Sequence, residues 1–237
     1  MTTSRRSRIR AAARSRSPSD LTSIERVHVK ICGITRPEDA ELAASLGAWA
    51  IGMIFHAPSP RAVQLEVAQQ IGSDLKRELE ITGVFVNRPL HEVAELADVC
   101  SLSIIQLHGD EGPVYADELR RRTGLKIMKA GRVQDAASLQ ALDAFRHVDY
   151  HLVDAHHPDL FGGTGETFDW QLLRGRRSTV PLVLSGGLTP DNVGHAVRTI
   201  HPWGVDSASG TEASPGVKDP GKVTAFIRTA QEAAVPA

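Results

Sequence analysis

The chain has only two cysteines, Cys32 and Cys100, in 237 residues. That excludes a disulfide framework as the organising principle and makes a reducing compartment, the cytoplasm, the natural setting. No Cys/His spacing of the metal-site kind occurs. The adjacent His156-His157 are poor co-ligands without a third partner and read as solvated side chains, so no metal is expected. No apolar run approaches the roughly 18 residues of a membrane span. No charge of one sign dominates either, the formal net charge being -1, so no global field draws the chain to nucleic acid or to a membrane. The Gly-rich strand-to-helix turn GxGxxG is missing, which removes the main sign of a dinucleotide-binding doubly wound sheet. No heptad or long apolar stripe marks an oligomer seam, and a monomer is the expectation.

One stretch departs from this neutrality. Residues 1–26 carry Arg5, Arg6, Arg8, Arg10, Arg14, Arg16 and Arg26 among Ser, Thr and Ala, opposed only by Asp20 and Glu25. It has no apolar core of the kind a secretory signal needs. A basic arm of this sort can touch nucleic acid without sequence preference. The expectation is a disordered, dispensable extension, with the catalytic domain over residues 27–237.

From Val27 onward the pattern is strand, short loop, helix, repeated. Apolar runs predict strands at Val27–Cys32, Trp49–Phe55, Glu80–Val86, Ser103–Leu107, Lys126–Ala130, Val148–Asp154, Pro181–Ser185 and Gly204–Ala208. Helices are predicted from Pro37 to Leu46, over Val63–Leu79, from Leu90, over Val114–Arg122, Ala136–Phe145, near Trp170, over Pro190–Ile200 and over Asp219–Ala233. Eight near-continuous apolar strands, each followed by a helix, are the pattern of an α/β protein of the (β/α)₈ TIM-barrel type in a single domain. Functional groups should then collect at the carboxyl ends of the strands.

The strand ends carry such groups. Cys32 closes the first strand, and side-chain alternation puts it on one face with Lys30. A cysteine there can act as a base, provided its thiol ionises readily. An ammonium at Lys30 would favour the thiolate, or would pair with Asp206 on the eighth strand; both are compatible. Asp154 ends the sixth strand before a long loop, where a carboxyl raised by burial can protonate a leaving or ring oxygen. Arg61, in Ser59-Pro60-Arg61, offers a guanidinium for carboxylate recognition on a Pro-stiffened loop. The seventh and eighth strands end in Ser185-Gly186-Gly187 and Ser207-Ala208-Ser209-Gly210, small-residue loops where barrels of this class often bind phosphate. Gly162-Gly163-Thr164-Gly165, after Asp154, reads as a closing segment.

Together these residues resemble the phosphoribosylanthranilate isomerase family of tryptophan biosynthesis. The motifs that carry the resemblance are Lys30-Ile31-Cys32-Gly33-Ile34-Thr35, Ser59-Pro60-Arg61, Gln106-Leu107-His108-Gly109, Gly162-Gly163-Thr164-Gly165 with Phe168-Asp169-Trp170, Ser185-Gly186-Gly187-Leu188, and Pro215-Gly216-Val217-Lys218-Asp219. The match runs in order from about Val27 to the last helix. The resemblance implies an Amadori rearrangement of N-(5′-phosphoribosyl)anthranilate, a small phosphorylated substrate, to 1-(2-carboxyphenylamino)-1-deoxyribulose 5-phosphate, without metal or organic cofactor. It implies Cys32 as general base, Asp154 as general acid and Arg61 facing the anthranilate carboxylate. Gln106, His108 and Asp206 are implied as further substrate-binding residues, with Gly186, Gly187, Ser209 and Gly210 as the phosphate cradle. Where the family commonly reads Asp-Val-Ser-Ser-Gly-Val-Glu, this chain has Asp206-Ser207-Ala208-Ser209-Gly210-Thr211-Glu212, so Ala208 lacks a hydroxyl.

Three alternatives compete. A histidine-pathway aminoaldose isomerase would carry Asp where Cys32 stands, and Cys32 argues against it. A barrel lyase or synthase could use the same phosphate cup. A nucleic-acid-binding protein acting through the basic arm would show salt-dependent binding that disappears on removing the residues before Val27.

Overall fold

The structure, a computed structural model, describes residues 26–154, 173 and 176–234. Strand and helix alternate along them. The first half runs β1 (His28–Cys32), α1 (Pro37–Ser45), β2 (Ala50–Ile54), α2 (Leu65–Leu75), β3 (Glu80–Phe85), α3 (Leu90–Val99), β4 (Ile104–Leu107) and α4 (Pro113–Thr123). The second runs β5 (Lys126–Arg132), α5 (Ala136–Asp143), β6 (Tyr150–Asp154), β7 (Leu182–Ser185), α6 (Val193–Ile200), β8 (Gly204–Ser207) and α7 (Pro220–Ala233). Strands β1 to β8 form one closed barrel. The seam between β1 and β8 is parallel, with Lys30 opposite Asp206. This is the (β/α)₈ barrel that the strand count predicts.

Each strand buries both faces, which is why it reads as an apolar run. Ile31, Ile51, Ile81, Ile105, Ile127, Val153, Leu184 and Val205 belong to the cluster shared with the helices, all fully buried. Burying each such side chain stabilises the fold by about 1.5–3 kcal/mol. The alternate residues Ile104, Met128, Ala130, Tyr150, Leu152 and Val183 form a second, interior cluster. Toward the amino ends of the strands the barrel is plugged by rings. His28 stacks on Trp203 with centroids 3.8 Å apart, and Trp49 meets Trp203 edge-on at 4.8 Å. Packing chemistry thus fills one end and leaves the other for polar groups.

Several bounds differ from expectation. Helix α2 begins at Leu65 rather than Val63, because the Val63 amide donates to the Ile54 carbonyl at 3.0 Å and Ala62 bridges to β2. Helix α6 begins at Val193 rather than Pro190, after a turn in which the Thr189 amide donates to Asn192 Oδ1 at 2.8 Å. Strand β5 extends to Arg132, whose register partner is Asp154. After β8 comes a 3₁₀ turn over Ser209–Thr211 and then an unforeseen antiparallel pair, β9 (Glu212–Ser214) with β10 (Val217–Lys218). Helix α7 starts where expected, with Asp219 accepting from the Lys222 amide at 2.9 Å and Pro220 in its first turn. The basic stretch before Arg26, His156-His157, Gly162–Gly165, Phe168-Asp169-Trp170 and the helix predicted near Trp170 lie outside the described residues. Among the described residues no helix is long and apolar enough to cross a membrane.

Candidate active site

At the carboxyl ends of the strands lies a cavity of about 250 Å³. Cys32, Arg61, Gln106, His108, Asp154, Gly186, Gly187, Asp206 and Ser209 all line it. Residues from loops and strand ends scattered over most of the sequence meet there only because the barrel closes. Of the catalytic, substrate-binding and phosphate-binding residues that the resemblance implies, Gly210 is the one that does not line the cavity. A Cβ at Gly210 would fall 2.0 Å from the Leu188 carbonyl oxygen, so this glycine lets the β7 and β8 loops approach each other.

Cys32 and Lys30 share the inward face of β1, as alternation requires. Lys30 is fully buried, and its Nζ donates to Asp206 Oδ1 at 2.9 Å. Asp206 in turn accepts from Ser185 Oγ at 3.0 Å. Gly52, on the neighbouring strand, makes room for the pair: a Cβ there would lie 2.7 Å from Cys32 Sγ and 2.9 Å from Lys30 Nζ. Burial opposes the Lys30 charge, but Asp206 and Cys32 hold its pKa above the ordinary lysine value. The thiol does not ionise as readily as the sequence suggests. Burial pushes Cys32 up, Lys30 pulls it back, Asp206 adds to the rise, and the net direction is upward. Lys30 therefore tempers a cost of burial that it does not cancel.

Asp154 stands at the end of β6, part exposed, with His108 Nε2 3.7 Å from its Oδ2. Gln106 Nε2 lies 2.9 Å from His108 Nδ1. With the Gln106 amide donating, Nδ1 is the acceptor and the imidazole proton sits on Nε2, facing the Asp154 carboxylate. The Gln106 Oε1 atom is buried and has no hydrogen-bond partner among the described residues.

Arg61 reaches the cavity from the loop after β2. Its guanidinium is already engaged: Nε donates to Glu212 Oε1 at 2.8 Å, and Nη2 to Oε2 at 2.8 Å. Burial raises the Glu212 carboxyl pKa, but the Arg61 bond and the charges of Lys218 and Arg61 outweigh it and hold the carboxyl below its ordinary value. Lys218 is buried too; burial lowers its pKa against the pull of Glu212 and Cys32. Its Nζ donates to the Ala208 carbonyl at 2.8 Å. Ala208 thus supports its loop through the backbone, without the missing hydroxyl. In the adjoining loop after β7, Gly186 and Gly187 have φ of 91° and 66°, conformations that a Cβ would strain.

Glu212 and Lys218 were not singled out as site residues, although Lys218 lies in a motif that carries the resemblance and Glu212 closes the segment set against the family's eighth-strand end. Among the described residues no cluster of three His, Cys, Asp or Glu could hold a metal ion.

The family model described as N-(5′-phosphoribosyl)anthranilate (PRA) isomerase matches residues 29–229. A curated relative from Pelobacter propionicus, N-(5′-phosphoribosyl)anthranilate isomerase, is 46% identical over 206 residues, covering 87% of this chain and 96% of its own. Among solved structures, a phosphoribosyl anthranilate isomerase in complex with reduced 1-(o-carboxyphenylamino)-1-deoxyribulose 5-phosphate superimposes with a TM-score of 0.76 at 34% identity, over 87% of this chain and 99% of that one. A structure of monomers generated from the dimeric enzyme of Thermotoga maritima also gives a TM-score of 0.76 at 34% identity, with the same 87% and 99% coverage.

Proposed function

The chain belongs to the N-(5′-phosphoribosyl)anthranilate isomerase family and catalyses the isomerisation of N-(5′-phosphoribosyl)anthranilate in tryptophan biosynthesis, and we propose that it does so with Cys32 as general base and Asp154 as general acid. The observation that carries this reading is their meeting in one cavity, although they close strands β1 and β6. In the proposed sequence, the Asp154 carboxyl protonates the furanose ring oxygen. The anthranilate nitrogen pushes its lone pair toward C1′, the ring C–O bond breaks, and an iminium forms. Cys32 thiolate then takes the proton from C2′, and those electrons make the C1′–C2′ double bond of an enolamine. Protonation at C1′ and loss of the C2′ hydroxyl proton give the ketone. No electrons enter or leave, so the reaction needs no redox partner.

The remaining cavity residues bind. Arg61 faces the anthranilate carboxylate, and Gln106, His108 and Asp206 hold the sugar. In this reading His108 also orients the Asp154 carboxyl, which the 3.7 Å approach supports. Gly186, Gly187 and Ser209 bring backbone N–H groups to the phosphate, and Gly210 sets the loop spacing. Lys30 stabilises the thiolate when Cys32 gives up its proton, consistent with the pull it exerts on the thiol.

The reading extends to the whole chain as residues 27–237 forming the catalytic domain and residues 1–26 forming a dispensable basic extension, in a cytoplasmic monomer. Sedimentation of the intact chain tests the monomer, and a chain starting at Val27 that keeps full activity supports the domain division. For the chemistry, Cys32→Ser and Asp154→Asn should each lower turnover by about 10²–10⁴-fold while binding of the reduced product analogue stays within a few-fold. Near-normal turnover in either variant would move that proton transfer to another residue.

A further inference from the structure

We propose that Glu212 is a positioning residue that sets carboxylate specificity by holding Arg61 from behind. The inference rests on the reading of Arg61 as the anthranilate carboxylate partner and adds the reason that this arginine points where it does.

A guanidinium has two edges that can fork a carboxylate, Nε with Nη2 and Nη1 with Nη2. Glu212 takes the first: Nε lies 2.8 and 3.1 Å from Oε1 and Oε2, and Nη2 lies 2.8 Å from Oε2. Among the described residues no hydrogen bond engages Nη1, so the second edge remains for a ligand. Arg61 lines the cavity, whereas Glu212 does not. The carboxylate therefore stands behind the guanidinium, with its side chain 4% exposed against 23% for Arg61.

Glu212 is itself fixed. The Gly216 amide donates to Oε1 at 3.3 Å, Lys218 Nζ donates to the same atom at 3.4 Å, and Lys222 Nζ holds the Glu212 carbonyl at 2.8 Å. The short β9–β10 pair sets the Gly216 and Lys218 donors in place, and Lys222 reaches in from the first turn of α7. Opposite, the loop after β1 passes close beneath the ion pair. A Cβ on Gly33 would fall 2.9 Å from Arg61 Cδ and 3.4 Å from Glu212 Oε1, and Gly33 also has a φ of 77°. The glycine that follows Cys32 thus leaves the space the pair occupies. A free arginine on a loop would lose considerable side-chain freedom on binding; one already forked by Glu212 has lost it beforehand.

A substrate carboxylate can then approach only the Nη1/Nη2 edge, from one direction. Ligands without that carboxylate gain nothing from the arrangement. Glu212 should therefore affect the preference for carboxylated ligands rather than affinity in general.

The test measures affinity for reduced 1-(o-carboxyphenylamino)-1-deoxyribulose 5-phosphate and for the phenylamino analogue lacking the carboxyl. The wild type should favour the carboxylated ligand by about 10–100-fold. In Glu212→Gln and in Glu212→Asp that preference should fall by about fivefold or more, while affinity for the analogue lacking the carboxyl stays within about twofold. In an Arg61→Ala background, where the preference is already lost, Glu212→Gln should change it no further. An unchanged preference in both Glu212 variants would overturn the proposal, as would equal weakening of both ligands, which marks a purely structural residue. If Arg61→Ala alone keeps the preference, the Arg61 reading itself fails and the Glu212 inference falls with it.

Discussion

Replacing Lys30 by Met separates what the buried ion pair does for the fold from what the ammonium does for Cys32. Lys30 has no exposed side-chain surface and lies 2.9 Å from Asp206, which is itself almost wholly buried. Methionine fills the stem's volume but leaves Asp206 with only Ser185 as a side-chain donor among the described residues. Removing one partner of a buried pair costs about 3–5 kcal/mol, much of it the stranded charge. That is a large share of the roughly 5–15 kcal/mol that holds a domain together, so the single variant will be markedly less stable in urea. Lys30→Met combined with Asp206→Asn removes the stranded charge, and the side-chain amide carbonyl introduced there can still accept from Ser185. The double variant should regain most of the lost stability but not the activity. Without the ammonium, nothing on β1 opposes the burial that already raises the Cys32 thiol, and the base becomes harder to form. Three measurements decide the matter: the urea midpoint, turnover, and the pH dependence of Cys32 alkylation. Alkylation should move to higher pH in both variants, by less in the double variant, which also loses the Asp206 charge that raises the thiol. Turnover of the single variant should fall by about 10²-fold or more. A stable double variant with wild-type turnover and an unmoved alkylation profile would refute the role given to Lys30.

Three further outcomes follow from the same geometry. Arg61→Ala should weaken the carboxylated product analogue by about 1.5–3 kcal/mol while leaving inhibition by inorganic phosphate nearly unchanged; equal weakening of both would assign Arg61 to the phosphate. Because burial holds the Cys32 thiol up in the unliganded site and only the thiolate is alkylated, the rate of Cys32 alkylation in the free wild-type enzyme should rise with pH through the alkaline side of the ordinary cysteine range. An alkylation profile lying below that range would contradict the burial argument. His151 is fully buried; its Nε2 donates to the Phe145 carbonyl at 2.9 Å, and Arg176 Nη2 lies 2.9 Å from Nδ1. Burial depresses its pKa from 6.5, so the unfolded chain binds the proton more readily. Its contribution is complete above the unfolded value and is lost as pH falls from about 6.5 toward the folded one. Urea midpoints at pH 7.5 and 5.5 should show this loss in the wild type and a smaller one in His151→Asn.

The barrel was legible because its strands are apolar on both faces, a pattern that Ile31, Ile51, Ile81 and Ile105 display in sequence and carry out in the packing. The candidate site was legible for a related reason. Once β/α alternation is recognised, Cys32, Gln106, Asp154 and Asp206 all fall at carboxyl ends of strands, and closure brings them together whatever their separation along the chain. The pairing of Lys30 with Asp206 could also be anticipated, since β1 and β8 must be neighbours in a closed eight-stranded barrel. What escaped lies where periodicity carries no information. Strands β9 and β10 have three and two residues, too few for alternation to show, so nothing in the spacing reveals that Glu212 turns back toward the loop after β2. Nor does sequence decide between opposing effects at one atom. A lysine two residues before a cysteine suggests an ionised thiol, and the outcome depends on how much water the fold leaves around the sulfur, a quantity set by Gly52, Lys218 and Asp206 from three other segments. The same limit holds for Gly33. Its turn conformation could be guessed from residue type, but its second use, as the floor beneath the Arg61–Glu212 pair, exists only because residues 151 positions apart converge above it.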